Sequence, residues 1–346
     1  MAQRSALIDG LKVVASQLIV LHHIVLYAPM ADWVGWPKVA AFLIDEARYV
    51  VQIFLVIGGH LAAQSLSRRM DSLPRSLLAR YLRLVPMLAV TLLAVLAASA
   101  LLPPGRWPQW VTPWPTPGGL LAHLLLLQDV LGVASLSAGL WYVSIDFQLY
   151  ALLAIGCALL HRRADRPVWR SALPWAVAAL TLASLAGFNR DAAFDAWAPY
   201  FFSAYGLGAL AAWAGRSRTL AGLFGMVCVA HLACAAFESR PRLAIACLTS
   251  IALAALASRW HAQGRPARAL AYWSDASYGV FLIHYALIVA STALWLRLPS
   301  NKTAVAWGLL LGCWAASLAA GAALQRCVGT PLQRLTWAGM RPVSAR

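Results

Sequence analysis

The residues of this chain that could do chemistry begin with a lysine and a histidine on its first long apolar segment. Lys12 and His23 are eleven positions apart. Eleven steps of about 100° return to nearly the starting direction of a helix, so the two side chains share one face. The rise of about 1.5 Å per residue separates them by about 16 Å along the axis. A cation there can hold an anionic group, and an imidazole deeper in the segment can take up a proton.

Two more polar residues belong to this first segment. Asp9 is fourteen residues before His23, which places it near the face that carries Lys12 and His23. His22 points about 100° away from His23, so only one of the two histidines can share that face. We therefore expect His23 to be functional and His22 to be a structural, hydrogen-bonded residue.

A pair of arginines precedes the third apolar segment. Arg80 and Arg83 are three residues apart and lie on one face of a helix that enters this segment. Guanidinium groups offer forked donors that suit phosphate. The competing explanation is that these cations only mark the cytoplasmic side of a membrane.

A polar run opens the next long apolar segment, at residues 140–150 (LWYVSIDFQLY). Asp146 and Tyr150 are four residues apart and can face the same cavity. A carboxylate within an apolar span should be paired or should line water. Capping of the helix by Ser144 or Asp146 is the simpler alternative.

Two further histidines lie within apolar segments. His60 follows Gly58 and Gly59, which permit close approach of another helix. His284 lies about two turns inside a later segment, and we expect it to make a structural hydrogen bond. The histidine spacings do not match a known metal motif, so no metal is expected.

The composition determines the kind of element that must position these residues. The chain has 346 residues, of which 61% are hydrophobic and 12% are charged, and its formal net charge is +16. Soluble domains average about 25% charged residues. The apolar runs are continuous rather than alternating, which indicates helices that cross the lipid bilayer rather than strands. The basic residues cluster in short loops between these runs, which excludes nucleic acid as the partner.

The pattern predicts an all-α integral membrane protein with about ten transmembrane helices in one bundle. Residues 118–135 are apolar but short, and Gln128 and Asp129 interrupt them, so we expect a re-entrant or interfacial helix there. Residues 1–346 form a single predicted membrane domain without an appended soluble domain. The ten predicted spans are 11–30, 49–67, 84–103, 139–160, 171–188, 198–214, 219–237, 242–258, 276–296 and 303–325.

The distribution of cations predicts the orientation. Arginines cluster in the loops 68–83, 161–170, 215–218 and 259–275 and in the tail. All of these fall on one side if the N-terminus is cytoplasmic, so both termini are expected inside. The predicted outer loop 103–118 is rich in proline, which forbids regular helix. Its tryptophans suit the membrane interface, and stacking on sugar rings is the alternative.

These segments, in this order, resemble the membrane acyltransferase-3 family. The N-terminal pattern of that family is an Asp, then Arg or Lys, ten residues and His, and Asp9, Lys12 and His23 match it. The FFVLSGFL of its second span is similar to FLVIGGHL, in which His60 stands at an aromatic position. Its RxxR pair is matched by Arg80 and Arg83.

The second half of the chain continues the resemblance. The LWSLSVEEQFY of the family resembles residues 140–150, with Asp146 where Glu is usual. Its late SYxxYLxH resembles the stretch that begins at Ser277 and ends at His284. The final GTPLQRL resembles the closing E-x-P-L-x-R segment without its Glu. The resemblance therefore spans nearly the whole chain.

The resemblance implies acyl transfer from cytoplasmic acyl-coenzyme A, usually acetyl-coenzyme A, to a hydroxyl of a carbohydrate or glycolipid. It also implies a bacterial cell inner membrane. His23 would act as the general base or carry the acyl group transiently.

The remaining site residues are assigned on the same basis. The other catalytic candidates are Asp146 and Lys12. The candidates for binding the coenzyme are Arg80, Arg83, Lys12 and Tyr150. The candidates for binding the acceptor are Asp9, Trp141, Ser144 and His60.

Two other classes of protein also place polar residues within many spans. A transporter or flippase needs a polar central cavity, but the sequence shows neither an inverted repeat nor broken helices in matching positions. A scaffold for envelope assembly would not require Lys12 and His23 to share a face.

Overall fold

The computed structural model describes residues 4–68, 72–161, 167–298 and 302–339. Within these ranges the chain forms thirteen α-helices, several short 3₁₀ turns and one π-helical turn, and no β-strand. The all-α class predicted from the continuous apolar runs is therefore confirmed for the described residues.

Each of the ten predicted spans coincides with one long helix. Three shorter helices are α2 (Pro37–Asp45), α5 (Pro117–Leu124) and α13 (Thr330–Gly339). The long helices are α1 (Ala6–Tyr27), α3 (Val51–Arg68), α4 (Leu73–Ala100), α6 (Leu140–His161), α7 (Pro167–Ala186), α8 (Ala198–Ala214), α9 (Arg218–Phe237), α10 (Pro241–Leu256), α11 (Gly264–Trp295) and α12 (Thr303–Leu324).

Seven of these helices, among the described residues, are long and apolar enough to cross a membrane: α1, α4, α6, α7, α9, α11 and α12. The count of ten spans is not confirmed by this measure. Helices α8 and α10 have 17 and 16 residues, whereas a perpendicular span needs about 20. Helix α3 has several polar residues along its 18 positions.

Two helices begin well before the predicted spans. Helix α4 starts at Leu73 rather than near residue 84, and α11 starts at Gly264 rather than near residue 276. The added turns contain Arg75, Arg80 and Arg265, whose charge hides a helix from a search for apolar runs. Arg80 and Arg83 consequently lie on the same continuous helix as the third apolar segment.

The prediction of a helix over 118–135 was wrong in length. Helix α5 ends at Leu124, and turns follow, with Leu126 at a φ of 60°. His123 holds this segment in place, because its Nδ1–H donates to the carbonyl of Gly119 (2.7 Å) and its Nε2 accepts from the amide of Leu136 (3.2 Å). The helix-free stretch expected from the prolines of loop 103–118 is confirmed between α4 and α5.

Part of the evidence for the predicted orientation falls on residues that the structure does not describe. The cations concerned are Arg69, Arg162, Arg163, Arg166, Arg341 and Arg346. The cytoplasmic location of both termini stays a prediction.

The chain divides into two compact units. The first unit comprises Met1–Ala15, Tyr49–Leu78 and Ser144–Ala271, and the second comprises Ser16–Arg48, Ala79–Val143 and Tyr272–Arg346. The description of residues 1–346 as a single membrane domain stays a prediction.

Close packing of α3 and α8 organises the first unit. A methyl group added at Gly59 would overlap the backbone carbonyl of Tyr205, and one added at Gly208 would overlap the carbonyl of Val56. The two glycines thus let the helix backbones touch, as small residues do between membrane helices. Helix α8 is buried along most of its length.

The second unit has an apolar core formed by the C-terminal half of α1, the C-terminal half of α11 and α12. Buried members of this core include Ile24, Ile288 and Leu310. Helices α11 and α12 cross at Gly279 and Gly321, where an added methyl group on either residue would overlap the backbone of the other helix. This crossing fixes the position of α11 at a point five residues before His284.

We predict that Gly321→Ala destabilises the protein, because the new methyl group would overlap the backbone of Val280. Overpacking of this kind costs about 1–3 kcal/mol. The measurement is thermal unfolding of the purified variants in identical detergent micelles.

Gly312→Ala, on the same helix, is the matched control, since nothing lies within 4 Å of a methyl group at that position. Its unfolding temperature should equal or exceed that of the wild type. Equal losses for the two variants would contradict the close crossing.

Candidate functional site

Two buried histidines from distant parts of the sequence are hydrogen-bonded to each other in the second unit. His23 Nδ1, on α1, lies 2.8 Å from His284 Nε2, on α11. The ring planes differ by 9° and the ring centroids are 4.9 Å apart, which is the geometry of a hydrogen bond in the plane of both rings. His284 has no exposed surface, and His23 is 8% exposed.

A backbone carbonyl determines which nitrogen of each neutral ring carries the hydrogen. His284 Nδ1 lies 2.5 Å from the carbonyl oxygen of Phe281, and a carbonyl can only accept. His284 therefore donates through Nδ1–H, and its Nε2 accepts the hydrogen bond from His23 Nδ1–H. The remaining nitrogen of His23, Nε2, then carries a lone pair. This tautomer follows from the hydrogen-bond network, and it is the one that a general base requires.

His22 makes a different contact, as expected for a structural residue. Its Nδ1 lies 2.7 Å from the carbonyl oxygen of Leu43 on α2, so it donates to that carbonyl. The hydrogen bond joins α2 to α1. His22 therefore holds the second unit together without sharing in the His23–His284 pair.

Three aromatic residues extend from His23, and the sequence analysis did not single them out. The ring of Tyr27, one turn along α1, stacks on His23 with a centroid distance of 5.7 Å and an interplanar angle of 29°. Trp110 lies 5.2 Å from Tyr27, and Tyr285 lies 5.7 Å from both of them. The spacing of four residues between His23 and Tyr27 was a usable signal, whereas Trp110 could only be placed by the fold.

The loop that contains Trp110 is fixed to its surroundings at three points. Tyr285 donates its hydroxyl to the carbonyl of Trp110 (2.9 Å), Arg106 donates to the carbonyl of Leu296 (2.8 Å), and Thr112 donates to the carbonyl of Ser135 (2.6 Å). Trp110 is consequently held beside Tyr27 and half-buried.

The other predicted site residues of the second unit are Arg80, Arg83 and Trp141. On α4, Arg80 is half-buried and Arg83 is exposed. Trp141 contacts Tyr142 edge-on at 6.1 Å. Tyr142 in turn meets Phe281 at 5.5 Å, and Phe281 provides the carbonyl that holds His284.

The first unit contains the predicted acidic residues. Asp9 is 6% exposed, and one of its carboxylate oxygens pairs with Nε of Arg4 at 2.6 Å. Nothing in the sequence pattern pointed to Arg4. Asp146 is also buried, and a methyl group added at Gly58 would lie 3.5 Å from its Oδ1. Asp146 therefore faces α3 close to the position of Gly58.

His60 and the remaining predicted residues also belong to the first unit. His60 Nε2 lies 2.9 Å from the side-chain nitrogen of Gln64, which shares its face of α3. Ser144 is buried, and Lys12 and Tyr150 are half-buried. The structure thus brings Asp146 towards α3, which carries His60, within this unit. The catalytic and binding roles of all these residues stay predictions.

The comparison with known families concerns this same set of residues. A family model described as an acyltransferase domain matches residues 6–324. The match includes both histidines of the pair and every predicted site residue. No match was found among the curated proteins or among the solved structures.

Proposed function

The chain belongs to the membrane acyltransferase-3 family, and we propose that it transfers an acyl group from acyl-coenzyme A to a hydroxyl of a cell-envelope carbohydrate or glycolipid. The proposed acyl group is acetyl, and the donor approaches from the cytoplasm. Family membership and the apolar helices make the protein an integral membrane acyltransferase. The proposed location is a bacterial inner membrane.

The observation that carries this proposal is the hydrogen bond between His23 and His284, because it leaves the lone pair of His23 on Nε2. His23 Nε2 takes the proton of the acceptor hydroxyl as the hydroxyl oxygen attacks the thioester carbonyl. The carbon–sulfur bond then breaks, and the thiolate of coenzyme A takes that proton from His23. His284 positions His23 and accepts its Nδ1–H throughout, as the acid of a serine-protease triad does for its histidine. Transient attachment of the acyl group to His23 is the alternative course.

The basic residues supply a site for the phosphates of the donor. Arg80 and Arg83 are three residues apart on one helix, and their guanidinium groups can grip phosphate oxygens. An ideal helix would separate Lys12 and His23 by about 16 Å along its axis. That length suits the pantetheine arm of the coenzyme, with Lys12 near the phosphates and the thioester at His23. Tyr150 is a further contact for the coenzyme.

The remaining polar residues are assigned to the acceptor and to the reaction. Asp146 orients the acceptor or a catalytic partner. It is buried, and a buried carboxylate within an apolar span is commonly a functional residue. Asp9, Trp141, Ser144 and His60 contact the acceptor. These assignments rest on residue type and on the family motifs that they match.

We predict that His23→Ala slows acyl transfer by at least about a hundredfold without abolishing binding of the donor. Loss of a general base lowers a rate by about 10²–10⁴-fold. The measurement is acetyl-coenzyme A turnover by detergent-purified protein, together with equilibrium binding of the coenzyme in the same samples.

His22→Ala is the control for this experiment, because His22 is the adjacent histidine and bonds to a backbone carbonyl instead. Its turnover per folded molecule should stay within a few-fold of wild type. If well-folded wild type neither binds nor consumes any acyl-coenzyme A, the acyltransferase reaction is wrong and a multi-span transporter or flippase takes its place.

We predict that His284→Leu lowers kcat more than about tenfold while the KM for acetyl-coenzyme A stays unchanged. Leucine cannot accept the hydrogen bond from His23 Nδ1–H, so His23 is free to adopt the tautomer that lacks a basic Nε2. His284→Gln should restore part of the activity, since the amide oxygen of glutamine can accept the same hydrogen bond. Identical losses in the leucine and glutamine variants would argue for a purely space-filling role.

We predict that Arg80→Ala and Arg83→Ala each raise the KM for acetyl-coenzyme A by about three- to tenfold, because each removes a charge-assisted contact to phosphate. Arg75→Ala is the matched control, as an exposed arginine of the same helix. Steady-state kinetics with acetyl-coenzyme A and with its 3′-dephospho form identify the phosphate. The assignment fails if Arg80→Ala weakens acceptor binding and leaves binding of the coenzyme unchanged.

A further inference from the structure

We propose that Trp110 and Tyr27 form a stacking surface for one pyranose ring of the acceptor beside His23, with Tyr285 as the residue that positions Trp110. The inference rests on the proposed function and makes it more specific, because it names the feature of the acceptor that the protein recognises. It also assigns residues that no sequence motif of this chain singles out.

The proposed stacking surface lies beside His23. Tyr27 stacks directly on His23, and Trp110 packs against Tyr27. A sugar ring that rests on the open parts of these two side chains is therefore next to the aromatic residue that stacks on His23. Tyr27 and Trp110 are both half-buried, so each keeps part of its surface open, whereas Tyr285 is 3% exposed. Tyr285 thus supports the surface from behind.

Trp110 is held rigidly in place by its neighbours. A tryptophan that serves only as an anchor at a lipid interface needs no fixed partner in the protein. Trp110 has its carbonyl hydrogen-bonded to the hydroxyl of Tyr285, and its ring meets the rings of both Tyr27 and Tyr285. Surfaces that orient a substrate have to be held in this way before the substrate arrives.

The other tryptophans of the same loop have different surroundings from Trp110. Trp107 and Trp114 pack on each other at 6.2 Å, and Trp114 is 58% exposed. Trp114 thus has the exposure expected of an interfacial tryptophan, and Trp107, which is half-buried, packs on it. The loop therefore contains two tryptophans that pack on each other and one, Trp110, that packs against Tyr27 and Tyr285.

The chemistry of the two rings favours a pyranose. An aromatic face carries negative charge density and attracts the weakly positive C–H groups along one side of a sugar ring. The rings of Tyr27 and Trp110 pack on each other at an angle of 43°, and both side chains are half-buried. A flexible chain of hydroxylated carbons has no such rigid face, and ordering it would cost conformational entropy.

The test compares ring and open-chain acceptors with the full-length protein in phospholipid nanodiscs, which avoids sugar-headed detergents. The probes are the methyl β-pyranosides of glucose, galactose, mannose and N-acetylglucosamine, with sorbitol as the open-chain polyol. Transfer is followed as O-acetylated product and as loss of acetyl-coenzyme A. Binding of tritiated pyranoside is measured separately at equilibrium.

Trp110→Ala should raise the KM for the accepted pyranoside about five- to tenfold, in line with the strength of aromatic stacking. The KM for acetyl-coenzyme A should not change. Trp110→Phe should recover most of the loss. Trp114→Ala, the matched control, should behave as wild type, and the use of sorbitol should be poor and independent of Trp110.

Three results would overturn the inference. They are equal effects of Trp110→Ala and Trp114→Ala, an equal loss of sorbitol and pyranoside acetylation in Trp110→Ala, and failure of every pyranoside to bind or react. Failure of the proposed function is distinguishable from these. In that case wild type would bind a pyranoside through Trp110 and yet consume no acyl-coenzyme A.

Discussion

The second unit depends on one buried contact, the hydrogen bond between His23 and His284. Each imidazole is enclosed by apolar helices, where a polar nitrogen without a partner costs free energy. The hydrogen bond between the two rings forms only if α1 and α11 keep their positions relative to each other. The glycines at 279 and 321 provide part of that precision, because they allow α11 and α12 to touch along their backbones. The packing of small residues thus supports the geometry of the polar pair.

The sequence alone was sufficient for the local features of this site. The eleven-residue spacing placed Lys12 and His23 on one helix, and α1 is indeed continuous across both. The apolar runs located all ten long helices. The apolar runs did not locate the starts of α4 and α11, because the first turns of these two helices contain arginines. They also overestimated the helix after residue 117, because the hydrogen bonds of His123 that stabilise the following turns involve residues on both sides of them.

The contacts that could not be predicted are those between residues far apart in the chain. His23 and His284 are 261 positions apart, and nothing in the spacing of either segment identifies the other as its partner. The same holds for Tyr285 and Trp110, which are 175 positions apart. From sequence alone, the tryptophans of the loop favour the membrane interface over stacking on sugars. Only the fold distinguishes Trp110, beside Tyr27, from Trp114, which is exposed.

The use of a histidine rather than a carboxylate as the partner of His23 fits an apolar environment. An ionised carboxylate beside His23 would be costly to bury within a membrane span, whereas a neutral imidazole that donates to a backbone carbonyl adds no net charge. His23 donates to His284, and His284 donates to the backbone carbonyl of Phe281 on the same helix. That carbonyl is the last acceptor in this chain of hydrogen bonds. Such a partner stabilises a protonated His23 less than a carboxylate would. Under the proposed function this weaker support is sufficient, because the thiolate of coenzyme A is a better leaving group than an alkoxide or an amine and needs less help from a protonated His23. The hydrogen bond therefore serves mainly to keep the lone pair of His23 on Nε2, and only secondarily to stabilise charge.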